Sequence, residues 1–182
     1  MLEINFNPFP IITTPRLILR AIVAEDAEEI FALRSDAEVM KYIDRPLAKI
    51  AEEAIEFIKK NIDQIAANEG ISWAISLKPG NALIGNIAFW KVDKENHRAE
   101  IGYMLHKAFH QKGIMQEALT AVLQFGFNAM HLHSVEANIN PDNEASKRIL
   151  LKNNFKQEAY FKENFYFDGK FLDSEIYSLL TP

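Results

Sequence analysis

Ala99-Glu100-Ile101-Gly102-Tyr103-Met104-Leu105, then His106 to Gln111, then Lys112-Gly113-Ile114-Met115-Gln116-Glu117-Ala118, is the stretch that decides the fold. A strand pattern stops at Leu105, a short turn follows, and a helix starts at a glycine. N–H groups at such a start have no intrahelical acceptor, and with the helix dipole they form an anion site suited to a diphosphate. Gly113 lets a phosphate approach without a side-chain clash, and Lys112 adds a positive charge. The helix, Lys112 to Met130, carries Ile114, Ala118, Val122, Phe125 and Ala129 on one stripe and must pack on a sheet. Taken alone, the unit reads also as an ordinary helix start. It lacks the Gly-Lys-Ser/Thr ending of a P-loop and the three glycines of the dinucleotide fingerprint, so nucleotide hydrolysis and hydride transfer lose ground.

Upstream, Thr14-Pro15 leads into a strand at Arg16-Leu17-Ile18-Leu19-Arg20. Asp26 to Met40 and Ala48 to Ala67 have helical spacing, with Ile55, Ile58, Ile62 and Ile65 marking one face of the second. Ile71 to Leu77, Ala82 to Val92 and Arg98 to Leu105 read as an antiparallel meander, turned at Pro79-Gly80-Asn81 and at Asp93 to Asn96. Downstream, Ser134 to Asn138 is strand-like and Asn143 is the N-cap of a helix running to about Lys152. Asn154 ends that helix in the left-handed conformation. Phe155 to Phe161 and Phe171 to Leu179 then close the sheet around an Asp168-Gly169 turn. The pattern predicts an α+β fold, an α/β sandwich with a mixed, mostly antiparallel seven-stranded sheet and about four helices, crossed once by a strand-helix-strand connection.

The chain has 182 residues, 48% of them hydrophobic, which predicts one domain over residues 1–182 with its core in about 13–180. The 13 Phe, 5 Tyr and 2 Trp supply bulk for packing and for lining a cleft. Without any cysteine there is no disulfide framework, thiolate zinc site or cysteine nucleophile. No basic-then-apolar leader opens the chain and no long uncharged apolar run occurs, so the expected location is the cytoplasm with no membrane partner. A net charge of -5 argues against nucleic acid as a partner and suits an amine or cation, though it serves solubility equally well. His131 and His133 sit two apart without a carboxylate partner at ligand spacing, so no metal site is expected.

Val135-Glu136-Ala137-Asn138, followed by Asn143-Glu144-Ala145-Ser146-Lys147-Arg148-Ile149-Leu150-Leu151-Lys152-Asn153-Asn154-Phe155, completes a second segment. Together with Thr14-Pro15-Arg16-Leu17-Ile18-Leu19-Arg20, Ile84-Gly85, Glu100-Ile101-Gly102-Tyr103, Gly113-Ile114-Met115, Glu117-Ala118 and the Asp173 to Leu180 strand, it resembles the GNAT superfamily, the Gcn5-related N-acetyltransferases. The branch it is most similar to is the ribosomal-protein N-terminal acetyltransferases. The resemblance runs in order from about residue 13 to residue 180. It departs from the pattern at the phosphate loop, where the usual Gln/Arg, two variable residues, Gly, one variable residue and Gly/Ala are His110, Gln111, Lys112, Gly113, Ile114 and Met115. Only the central glycine is kept. Asn154 stands where the family has glycine.

The resemblance implies acetyl transfer from acetyl-CoA to a primary amine, on a protein N-terminus or a small molecule, by direct attack in a ternary complex. A non-catalytic acyl-CoA-binding or sensing module of the same fold is the alternative, which the altered loop allows. Carried over, Met104 and Leu105 pair with the pantetheine arm and offer an N–H to the acetyl carbonyl, and His110, Gln111, Lys112, Gly113, Ile114, Met115 and Gln116 surround the diphosphate. Asn138 and Asn143 match asparagines that bond the pantetheine or order the loop, while Lys147, Arg148 and Lys152 either meet the adenosine 3′-phosphate or form a solvated face. Glu100 is the first candidate for the base that deprotonates the amine, Glu163 the second. Ser146 matches a serine assigned to protonate the leaving thiolate, although a serine in a first helical turn also satisfies backbone groups. Tyr103 and Tyr177 sit in strand patterns, as core or cleft wall. A homodimer is compatible with this reading.

Overall fold

The structure, a computed structural model, describes residues 1–181; Pro182, the last residue of the expected domain, lies outside them. Its strands are β1 (Ile12–Thr13), β2 (Leu17–Ala21), β3 (Ile71–Leu77), β4 (Leu83–Asp93), β5 (Arg98–Leu105), β6 (Ser134–Ile139), β7 (Lys156–Phe167) and β8 (Lys170–Leu180). Its helices are α1 (Ala27–Ser35), α2 (Ala37–Met40), α3 (Ala51–Ala66), α4 (Ile114–Asn128) and α5 (Glu144–Lys152). The strands form one eight-stranded sheet in the order β1-β2-β3-β4-β5-β6-β8-β7. Every pairing is antiparallel except β5 with β6, which α4 connects.

The α+β expectation holds, with two corrections. The sheet has eight strands rather than seven because the two-residue β1 folds back on β2, pairing Ile12 with Leu19 and Thr13 with Ile18. There are five α-helices rather than about four because the segment expected to run unbroken from Asp26 to Met40 divides at Asp36. The Asp36 carboxylate accepts hydrogen bonds from the N–H groups of Glu38 and Val39, which starts a new helical turn.

Two apolar layers cover the sheet. One face packs on α4 and α5 through Leu119, Val122 and Leu150, joined from the sheet by Trp73, Phe89, Ile101 and Val135. The other packs on α1 to α3 through Ile30, Leu33, Ala54 and Ile58, joined by Ala74 and Met104. Of the stripe expected on α4, Ile114, Ala118 and Val122 are buried, Phe125 is half-buried, and Ala129 is exposed just past the helix end at Asn128. On α3 the buried side chains are Ala54 and Ile58, whereas Ile55 and Ile62 are exposed, so the helix is turned from the face its isoleucines suggested. The small Ala54 lets α3 sit close against α1, and volume at the contact decides over hydrophobicity.

Candidate active site

Three register pairs join β5 to β6: Arg98 with Ser134, Ala99 with Val135 and Glu100 with Glu136. Beyond them β5 continues along β4 as far as Leu105 opposite Gly85, and β6 continues along β8 as far as Ile139 opposite Glu175. Among the described residues the two strands no longer pair with each other there, so they part. The main-chain groups of Ile101 to Leu105 that face the gap can take an extended chain as an added strand. At the strand end a Cβ on Gly85 would lie 2.5 Å from the Met104 carbonyl oxygen, so glycine is what lets β4 press against it.

Strand alternation places Glu100, Gly102 and Met104 on the α1–α3 side of the gap and Ile101, Tyr103 and Leu105 on the α4–α5 side. Glu100 borders a cavity of about 200 Å³ lined also by Lys91, Asp93, Arg98 and Glu136. Burial raises its carboxyl above the ordinary carboxylate value, and the charge of Glu136 adds to the shift. Lys91, the Trp90 indole and Arg98 oppose it. Trp90 is the extra residue of a β-bulge, since Phe89 faces Ile101 while Lys91 faces Glu100. Arg98 is hydrogen-bonded to Glu136.

On the other side the Tyr103 hydroxyl lies 2.6 Å from Ser146 Oγ, bridging β5 and α5. Burial pushes the Tyr103 phenol up to about 12, so it stays protonated at neutral pH. Ser146 is buried in the first turn of α5, where its N–H donates to Asn143 Oδ1 at 3.0 Å. The cap role expected of Asn143 is thus present.

Between β5 and α4, His110 Nε2 lies 2.7 Å from the Leu105 carbonyl oxygen, tying the loop back to the strand end. Gln111, Lys112 and Gly113 are exposed, and Gly113 takes φ 70°, a left-handed value that glycine reaches without strain. Among the described residues, the N–H groups of Gly113, Ile114, Met115 and Gln116 have no main-chain acceptor. Buried Gln116 Oε1 has no partner either. Open N–H groups, an exposed glycine and Lys112 form a donor set that fits a diphosphate. Met115, at the family's second small position, is buried and supplies its main chain alone. Asn138 is exposed on β6 and Arg148 on α5, and a groove of about 580 Å³ runs from Gly113 along α4 to Lys152.

Sequence reading passed over Glu136 and Trp90 and took Tyr103 for core or cleft wall. A strand pattern gives a face but no cross-strand neighbour, so the Glu100–Glu136 pairing and the Tyr103–Ser146 contact were not legible. Glu163 is exposed on edge strand β7, which β6 and β8 separate from β5, and its N–H donates to Asp173 Oδ1 at 2.7 Å.

The parted parallel strands, the glycine-led helix and the carboxylate at the fork define an acyl-CoA-type acetyltransferase fold. Residues 16–156 match the acetyltransferase (GNAT) domain family, and the chain belongs to it. The uncharacterized N-acetyltransferase YoaA of Bacillus subtilis is 37% identical over 96% of this chain and 98% of its own length. The ribosomal protein uS5-alanine N-acetyltransferase of Escherichia coli is 34% identical over 47% of this chain and 44% of its own. A solved ribosomal L7/L12 α-N-protein acetyltransferase in complex with coenzyme A shares the fold at a TM-score of 0.86 and 24% identity, over 94% of this chain and 98% of that one. The protein is an acetyl-CoA-dependent N-acetyltransferase. The non-catalytic alternative gains no support from these relatives. No helix of the described residues is long and apolar enough to cross a membrane.

Proposed function

We propose that the protein acts in the cytoplasm, as one domain, to acetylate the α-amine of a protein N-terminus by direct attack in a ternary complex. The observation that carries the chemistry is the gap between β5 and β6, with the carboxylate of Glu100 on one side and the Ser146–Tyr103 hydroxyl pair on the other. A protein terminus as acceptor is supported by the likeness to the uS5-alanine enzyme. Two carboxylates at the fork, Glu100 and Glu136, favour an amine-bearing partner.

In this reading the open N–H groups of Gly113 to Gln116, with Gln111, Lys112 and the His110-braced loop, hold the diphosphate. Met104 and Leu105 line the gap, Leu105 turning its N–H towards the acetyl carbonyl, and Asn138, Asn143 and Arg148 border the rest of the cofactor. Acetyl-CoA supplies the activated acetyl group. Glu100 takes the proton of the attacking nitrogen, which can act only as a neutral amine. As the N–C bond forms and the C–S bond breaks, the Ser146 hydroxyl gives its proton to the sulfur. Tyr103 keeps its proton and donates a hydrogen bond to the serine oxygen, which solvent reprotonates before the next turnover. The products are an amide and a free thiol, and Glu100 returns its proton to solvent.

Calorimetry with acetyl-CoA, together with thiol release on peptides that differ only in a free or blocked N-terminus, tests this. Binding, with release on free termini alone, is expected. Gly113→Trp should abolish the binding by filling the diphosphate position; unchanged affinity would remove that assignment. Release on small polyamines and on no peptide would move the acceptor class.

A further inference from the structure

The residues that resemble the family at the chain's beginning are not near the fork, yet they converge on the loop that leads into α4. Arg16 Nη1 donates to the carbonyl oxygen of Lys112 at 3.0 Å, and Arg16 Nη2 to that of Gly113 at 3.1 Å. Its Nε donates to Glu117 Oε2 at 2.6 Å. The other carboxylate oxygen, Glu117 Oε1, accepts from the Thr14 hydroxyl at 2.6 Å and from the Arg16 N–H at 3.0 Å. Thr14 Oγ1 in turn accepts from the Leu17 N–H at 2.9 Å. These bonds draw the Glu117 carboxyl below its usual range against the opposing effect of burial.

A trans peptide is planar, with its C=O and the following N–H pointing in opposite directions. A guanidinium fork that grips the carbonyls of Lys112 and Gly113 therefore fixes the next two N–H groups, those of Gly113 and Ile114, to face away from it. Those two open the row of donors without main-chain acceptors. Gly113 has the left-handed φ of 70° and no side chain to hold it, and whereas its own carbonyl also accepts from the Glu117 N–H at 3.1 Å, the Lys112–Gly113 peptide plane depends on Arg16. A guanidinium suits the task because its N–H groups lie in one rigid plane, which an ammonium cannot imitate. Arg16 is also close to neutral in its effect on a passing anion, because Glu117 pairs with its charge.

We infer that Thr14, Arg16 and Glu117 form a clasp that presets the diphosphate-binding N–H groups, with Arg16 a positioning residue that acts through the carbonyls of Lys112 and Gly113. The inference rests on the assignment of coenzyme A to the start of α4. It accounts for how a loop that keeps only one of the family's small residues retains its geometry. The bracing comes from the turn between β1 and β2, 96 residues before Lys112 in the chain.

Calorimetry with coenzyme A and with pantetheine, which lacks the diphosphate, tests the clasp in wild-type protein, Arg16→Met, Arg16→Lys and Glu117→Gln. Arg16→Met should weaken coenzyme A about tenfold, the scale of one net hydrogen bond, and leave pantetheine unchanged. Glu117→Gln turns an amide N–H towards Arg16 Nε and should give a loss in the same direction. Arg16→Lys keeps the charge without the fork and should recover only part of the affinity. Wild-type affinity in Arg16→Met, full recovery by lysine, or an equal loss for both ligands would overturn the inference. Failure of the wild-type protein to bind coenzyme A would instead overturn the site assignment beneath it.

Discussion

With Glu100 as the proposed base, the pH dependence of the reaction follows its ionisation, because a base works only when ionised. Its carboxyl is raised, first by burial and then by Glu136, so the acid limb of the kcat/KM profile should lie above the ordinary carboxylate range. Glu136→Gln removes one source of that shift, and the limb should move to lower pH with activity gained on the acid side. Glu100→Gln should lower kcat about a hundredfold and leave the affinity for acetyl-CoA unchanged. A pH–rate profile of the three proteins checks both outcomes, and a limb that ignores Glu136 would assign the titration to another group. The resemblance to the family marked Glu100 in the sequence. Its neighbour across β6 is fixed by register, which one strand's pattern does not contain.

Elements were legible where their signals are local. Asn143 accepts the Ser146 N–H, Asn154 takes φ 64°, and the Asp168-Gly169 turn has positive φ at both residues, all as their side chains require. Asn143→Ala should destabilise the protein by about 1 kcal/mol in urea denaturation, the usual effect of a lost N-cap. It should also lower kcat more than it changes the KM for acetyl-CoA, because Ser146 loses the anchor that aims it at Tyr103. A loss of stability alone would reduce Asn143 to a cap. Two elements were misread, the segment that Asp36 divides by capping a new turn and the face of α3. Lys107 Nζ lies 3.0 Å from Asp36 Oδ2, holding the break between α1 and α2 against the loop after β5. The stripe of α3 likewise depended on which side chains α1 could accept.

Across the whole molecule, the sheet is keyed by Trp73 at the centre of the α4–α5 layer. Trp73 has no exposed surface, meets Phe9, Phe89 and Phe125 edge to face, and donates its indole N–H to the Pro10 carbonyl oxygen at 2.7 Å. It ties the first ten residues to β3, β4 and α4. Trp73→Ala should destabilise the protein by about 3–5 kcal/mol and lower Tm by about 10 °C in calorimetry, through a cavity that rigid neighbours cannot fill. The sequence by itself determined what depends on near neighbours, namely the α+β class, the strand-turn-helix unit from Ala99 to Ala118, the caps and the glycine at position 113, while Glu100 came from the family resemblance. Hydrophobic period, turn chemistry and capping act over a few residues, so they can be read in order along the chain. Tertiary structure alone decided where β5 and β6 part, that Glu136 faces Glu100, that Tyr103 reaches Ser146, and that Arg16 grips the loop before α4. Each of these is a contact between residues far apart in sequence, made specific by strand register and packing, and no local pattern carries that information.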